Sequence, residues 1–321
     1  MYKKNHKTIT ALLVLISVSF SGCHEDDIPI SATNHIYLLD RMNYSVVSIN
    51  VETAEKLILG EIHVPELMTL DDYDNTNSNL FIDLKNKRLA ASAWKEKAKY
   101  FLLFDYEKGN LIDSVKLSYP FTNRFFYSPD LETIYSYLTG TLFSMTLKEK
   151  QVIRDEIIIA DSVGCGVEHQ GIDNFNHVFY NYGCNQTTMI YLETKSTDII
   201  DHYHFDPNKI SEWILLYSVG LSKDRSYLLG FGNYPRHFPD DPGYIGAFDS
   251  VRNELYMVRK NLMDGSFTEN RIDLNFGLNN GTFNSETEQY ILKHNEEVII
   301  FNADLKPYKT IGTENMSIIK Q

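Results

Sequence analysis

Three observations predict an all-β chain whose strands repeat as blades around an axis. One hairpin plan recurs five times: an apolar stretch, a single Asp, Ser or Asn, a polar turn of about four residues, and a second apolar stretch. It is plainest in Phe126–Tyr137 (FYSPDLETIYSY) and returns in Ile82–Ala91, Ile172–Asn181, Leu221–Gly230 and Phe283–Leu292. The polar residues that open these turns are Asp83, Ser128, Asp173, Ser222 and Asn284, spaced by 45, 45, 49 and 62 residues. That is the period of a β-propeller blade with one insertion before the last unit. Finally, no long stretch holds the i, i+3, i+4, i+7 apolar pattern of an amphipathic helix.

At the N-terminus, Lys3, Lys4 and Lys7 precede an apolar run, Ala11–Phe20, closed by Ser21–Gly22–Cys23. A basic region, a short hydrophobic region and small residues at the end make residues 1–22 a signal peptide, too short for a stable membrane span. Phe20–Ser21–Gly22–Cys23 resembles the lipobox of bacterial lipoproteins, with Phe20 where that family prefers Leu. The resemblance implies cleavage before Cys23 and acylation of Cys23 on its thiol and new amino group. His24–Glu25–Asp26–Asp27 resembles the acidic export signal behind the lipid-bearing Cys of Bacteroidetes surface lipoproteins. The expected address is therefore the outer membrane, facing the cell surface, with residues 23–31 as a tether and 32–321 as one domain. Several acyl chains anchor stably where one would be marginal.

Loss of residues 1–22 removes three lysines and no acid, which moves the formal net charge from −13 to −16. Such a surface repels nucleic acid and anionic lipid, so the expected membrane contact is the lipid on Cys23. Cys165 and Cys184 remain, in a compartment where thiols oxidise. They flank the hairpin turn at Asn174–Phe175 almost symmetrically, which places them opposite each other for a disulfide; two buried free thiols are the alternative, and their spacing matches no metal-ligand pattern.

Strands then follow in order. His35–Asp40, Ser45–Asn50 and Lys56–His63 read as the last three strands of a blade that lacks its first. Phe81–Leu84, Arg88–Trp94, Tyr100–Asp105 and Leu111–Leu117 make the second blade. The third runs Arg124–Ser128, Thr133–Leu138, Thr141–Leu147 and Val152–Ile159; the fourth runs Glu168–Asp173, His177–Gly183, Thr188–Glu193 and Asp198–Phe205. In the fifth, Leu215–Leu221 and Tyr227–Gly232 are followed after a long interruption by Tyr244–Phe248 and Glu254–Arg259. Asn279–Asn284, Gln289–His294, Val298–Asn302 and Tyr308–Ile311 make the sixth. Ser317–Lys320 would supply the strand missing from the first blade and close the ring, removing its exposed edges. Seven blades would need Phe248–Met257 to open its own unit, but Asp249 lies only 35 residues before Asn284, short for four strands.

The lipobox, the acidic residues behind it and the all-β repeats together resemble the TolB-like six-bladed β-propeller lipoproteins of Bacteroidetes. That resemblance implies a fold and an address but no reaction. In a propeller the innermost strands line the channel and the loops at one mouth form the usual binding face. Inner-strand candidates are Arg124, His169, Gln170, Tyr217 and Asn280. The most distinctive loop is Asn233–Tyr244 (NYPRHFPDDPGY), with Arg236, His237, Phe238, Asp240, Asp241 and Tyr244 as ligand-binding candidates. Its three prolines lower the entropy lost when it orders, and it reads either as a capture loop or as a solvated insertion. His202 and His204 share one face of a strand without a third ligand, and Gly164–Cys165–Gly166 lacks the spacing of a phosphate loop. No cofactor or metal is called for. The expected function is non-enzymatic binding or scaffolding of a glycan, peptide or envelope protein. The alternative is a polysaccharide hydrolase or lyase using His237, Asp240, Asp241 and channel residues such as His169.

Overall fold

The computed structural model describes residues 34–71, 79–122, 124–138, 140–156, 169–182, 186–201, 215–233, 236–237, 245–246, 255–264, 266–272, 274 and 279–320. Blade one holds β1 (His35–Asp40), β2 (Ser45–Asn50) and β3 (Lys56–Glu61). In blade two, β4 (Thr69–Leu70) and β5 (Phe81–Asp83) both pair with β6 (Arg88–Lys95), which leads to β7 (Ala98–Asp105) and β8 (Leu111–Lys116). Blade three is β9 (Phe126–Ser128), β10 (Thr133–Leu138), β11 (Thr141–Thr146) and β12 (Val152–Glu156). Blade four is β13 (His169–Asp173), β14 (Val178–Tyr182), β15 (Gln186–Tyr191) and β16 (Thr197–Asp201).

Blade five starts with β17 (Leu215–Leu221) and β18 (Tyr227–Asn233), then breaks into a ribbon, β19 (Arg236–His237) paired with β20 (Ile245–Gly246). It resumes with β21 (Leu255–Asn261) and β22 (Phe267–Ile272). Blade six is β23 (Asn279–Asn284), β24 (Gln289–His294), β25 (Glu297–Phe301) and β26 (Pro307–Gly312), and the chain ends on β27 (Met316–Ile318). Neighbouring strands in every blade are antiparallel, and β27 pairs with β1 through Leu38↔Ile318 and Asp40↔Met316. The fold is a six-bladed β-propeller.

The expected strand order holds, with corrections in two blades. Residues 244–248 were expected as the third strand of blade five and 254–259 as its edge. Instead β21 is the third strand and β22 the edge, so the insertion lies inside blade five, between its second and third strands. The pattern misled because the edge strand FTENRI carries few apolar residues, as a strand with one solvated margin need not. In blade two the innermost position is shared: Thr69↔Trp94 pairs β4 with one end of β6, and Phe81↔Ala90 pairs β5 with the other.

The recurring anchors have a structural cause. Asp83, Ser128, Asp173, Ser222 and Asn284 are all buried at the ends of the inner strands. Asp83 accepts the Asn86 backbone N–H at 3.0 Å, Asn284 those of Glu286 and Thr287 at 2.9 and 3.1 Å, and Ser222 Oγ that of Tyr227 at 3.0 Å. In these blades a short polar side chain thereby satisfies turn amides that cannot join the ladder, whereas Ser128 Oγ is buried without a hydrogen-bond partner among the described residues. Four residues after the anchor, Lys87, Glu132, His177 and Glu288 adopt the left-handed conformation (φ 55°, 44°, 52° and 54°) that starts the second strand, a hairpin geometry suited to the twist of the sheet.

Between blades the core is aromatic and aliphatic. Phe101 packs 5.3 Å from Tyr127, and Phe126 meets Phe179 edge-on at 5.3 Å. The last strand seals the ring on two sides. Ile318 packs with Ile36, Leu38, Val298 and Ile300 toward blade six, while Ile319 packs with Tyr37, Leu39, Leu80 and Ile82 toward blade two. Beyond β27 the backbone crosses to the next blade, where Lys320 N–H donates to Leu80 O and Ile82 N–H donates to Lys320 O, both at 2.9 Å.

Candidate functional site

All six inner strands run the same way along the channel, from an entry mouth to the mouth formed by the anchored turns. The turn mouth holds a cavity of about 110 Å³ between blades four, five and six. Asp173, Asn174, Tyr180, Gly220, Phe283 and Ser285 are among the residues that line it. Its walls are fixed by bonds between blades. Ser285 Oγ of blade six donates to Asp173 Oδ1 of blade four at 2.9 Å, and Asn174 Nδ2 donates to Tyr127 O of blade three at 3.3 Å. Asp173 also accepts the Phe175 N–H at 3.0 Å and Asn176 Nδ2 at 2.7 Å, so its carboxylate joins the turn to its neighbour. The space suits a few waters or one small polar group.

Two glycines at equivalent levels of adjacent inner strands shape this region. A Cβ on Gly171 would stand 2.0 Å from Tyr180 Oη, and one on Gly220 would stand 1.9 Å from Phe283 Cβ. Only hydrogen at these positions lets Tyr180 lie across its own blade and lets blades five and six close up. Burial, with Asp173 beside it, holds the Tyr180 phenol well above its ordinary pKa, so it remains a hydroxyl throughout the physiological range.

Beside this region the channel is cationic. Arg124 immediately precedes β9, and its guanidinium carbon lies 5.0 Å from the centre of the Phe126 ring. Arg124 Nη2 donates to Gln170 O at 3.2 Å, and Gln170 Nε2 donates to Tyr137 O at 3.2 Å. Lys320 Nζ sits 5.6 Å from the Phe81 ring and 5.9 Å from the Phe126 ring. Both cations are partly exposed yet surrounded by protein, as groups lining a narrow channel must be. Burial lowers Arg124 to about 10, and burial together with repulsion from Arg124 lowers Lys320 to about 7.

The sequence-derived candidates fall in three groups. Arg124 and Gln170 come together as described. His169, Tyr217 and Asn280 lie on the inner strands β13, β17 and β23, as expected from their positions, but their side chains are outside the described residues. Arg236 and His237 form β19 of the ribbon, with Arg236↔Gly246 and His237↔Ile245 as backbone partners. The ribbon departs after Asn233, which pairs with Leu215 at the start of the inner strand, so it leaves blade five on the entry side. Phe238, Asp240, Asp241 and Tyr244 lie outside the described residues, as do His202, His204, Cys23 and the expected disulfide partners Cys165 and Cys184. Lys320 and Tyr180 were missed. A lysine one residue from the chain end looks solvated, and only its place on the closing strand could have drawn attention to it.

No protein-family model matches the chain, and no curated protein matches it. Among solved structures it is similar to TolB from Acinetobacter baumannii, at 12% identity and a TM-score of 0.49, over 89% of this chain and 66% of that one. It thus spans just under two thirds of that TolB chain's length. A chain of the nidogen/laminin complex matches at 9% identity and a TM-score of 0.49, over 89% and 96% of the two chains. A member of the DUF4221 family from Bacteroides vulgatus matches at 9% identity and a TM-score of 0.45, over 81% and 86%. These are likenesses of fold and say nothing of what this chain binds.

Proposed function

We propose that this chain is a lipid-anchored, surface-facing binding propeller of the cell envelope, which holds a glycan, peptide or envelope protein at its channel rather than transforming it. The observation that carries the reading is the channel itself: a polar cavity of about 110 Å³ whose lining residues are pinned by bonds between blades. Groups held this rigidly bind with little loss of side-chain entropy. The lipobox-like Phe20–Cys23 and the acidic residues behind it support the address.

A screen of the purified chain against glycans and envelope extracts tests the binding role, because a ligand specific to the folded state raises Tm by mass action. A Tm rise that is lost in Asn174→Ala, or in Glu286→Ala at another residue lining the cavity, supports a channel site, and one lost only in His237→Ala or Phe238→Ala moves it to the loop. Turnover of a polysaccharide that stops in Asp240→Asn or Asp241→Asn while binding persists would replace the reading with the hydrolase or lyase alternative. Palmitate labelling that disappears in Cys23→Ala, with protease sensitivity on intact cells, tests the anchor and its orientation.

A further inference from the structure

We propose that Arg124 and Lys320 form an oxyanion site inside the channel, which takes a carboxylate, sulfate or phosphate group of the ligand. The inference rests on the binding role and specifies its ligand chemistry. The two side chains come from different blades and share the Phe126 ring, at 5.0 and 5.9 Å from its centre. Gln170, Tyr180, Phe81 and Phe126 surround them.

The pair has no acid beside it among the described residues. In a chain of net charge −13, several other cations stand against carboxylates, including Lys87 with Glu107, Arg88 with Glu132 and Lys150 with Asp113, and the buried Lys293 is satisfied instead by Thr313 O and Thr313 Oγ1. Even the buried Lys99 has Asp71 at 2.6 Å. Lys320 has no hydrogen bond or carboxylate partner from its ammonium among the described residues, and Arg124 Nε is buried with no acceptor. Among the described residues, the hydrogen bond from the Arg124 guanidinium is to a neutral carbonyl, Gln170 O. Two desolvated like charges cost stability, and an anion between them would relieve both. The guanidinium offers a planar fork for paired oxygens and the ammonium a compact charge, the donors that bind carboxylate, sulfate and phosphate groups. The Phe81 and Phe126 rings exclude water and strengthen the attraction.

The test titrates D-glucuronate, sodium sulfate and D-glucose into the purified chain at low ionic strength. Glucuronate and sulfate are expected to bind, and glucose to bind at least tenfold more weakly than glucuronate. Lys320→Met and Arg124→Met are each expected to weaken glucuronate by about ten- to hundredfold, the worth of one charge-assisted contact. Glucuronate favoured over sulfate points to an acidic sugar, and equal affinity to a free oxyanion; either supports the site. Should Arg124→Met fail to fold, Lys320→Met carries the test, since it removes a desolvated charge while keeping an apolar stem. Anion binding unchanged in Lys320→Met overturns the site. A response to neutral glycans but to no anion overturns the site and leaves the binding propeller standing, whereas silence toward every ligand overturns both.

Discussion

Replacing Ile318 or Ile319 with alanine probes the closure of the ring from its two sides. Both side chains are 2% exposed, Ile318 against blade six and Ile319 against blade two. Removing a buried isoleucine to its Cβ costs about 2–5 kcal/mol, from lost transfer free energy and from the cavity left behind. At about 2 °C per kcal/mol for a domain of this size, each variant should lose about 4–10 °C in Tm. Scanning calorimetry of the two variants measures this, with Ile58→Ala as the control. Ile58 lies on β3 of the same blade and is 61% exposed, so its loss should cost no more than about 0.5 kcal/mol. If Ile318→Ala and Ile319→Ala melt with the control, the last strand does not close the ring and the account of blade one is wrong.

Three other outcomes follow from the channel. Gly171→Ala forces a Cβ to within 2.0 Å of Tyr180 Oη and should cost about 1–3 kcal/mol by overpacking, read by urea denaturation. Ser285→Ala removes the bond to the Asp173 carboxylate across blades and should cost about 1.5–3 kcal/mol; a double-mutant cycle with Asp173→Asn measures the coupling. Lys320 gives a pH signature. Burial, reinforced by Arg124, lowers it from 10.5 to about 7, so between those values the unfolded chain holds a proton that the folded chain lacks. Its contribution to stability therefore grows as pH rises through that window. Lys320→Met should raise Tm near pH 6 and flatten the rise in stability that wild type shows toward about pH 9.5.

Much of the fold was legible because its repeat has a local chemical cause. Asp83, Asp173, Ser222 and Asn284 each accept turn amides that the ladder leaves unpaired, so a polar residue at the end of an apolar stretch marks their four blades; Ser128 marks blade three in the same position, but its buried Oγ has no hydrogen-bond partner among the described residues. Closure by the C-terminus was legible for a similar reason, since blade one lacked a first strand and the apolar stretch at 317–320 had no other partner. Blade five was not. FDSVRNELYM imitates the anchored plan, while the true edge strand β22 is largely solvated and carries little apolar signal. The candidate site divides the same way. Arg124 could be placed because it sits just before an inner strand, but its pairing with Lys320 joins residues 196 positions apart. Only the assembled ring brings Lys320 over both the Phe81 and Phe126 rings, a proximity that no local pattern encodes.

The most direct measurement is the affinity of the purified chain for D-glucuronate near pH 6 and near pH 9, in wild type and in Lys320→Met. Lys320 faces Arg124 and the Phe81 and Phe126 rings, and Arg124, lowered only to about 10, keeps its charge over most of this range. Wild type should bind near pH 6 and weaken by about tenfold or more near pH 9, as the ammonium loses its proton. Lys320→Met should bind weakly at both. Equal affinity at both pH values, or a Lys320→Met variant that binds like wild type, would contradict a channel whose ligand is held by this pair.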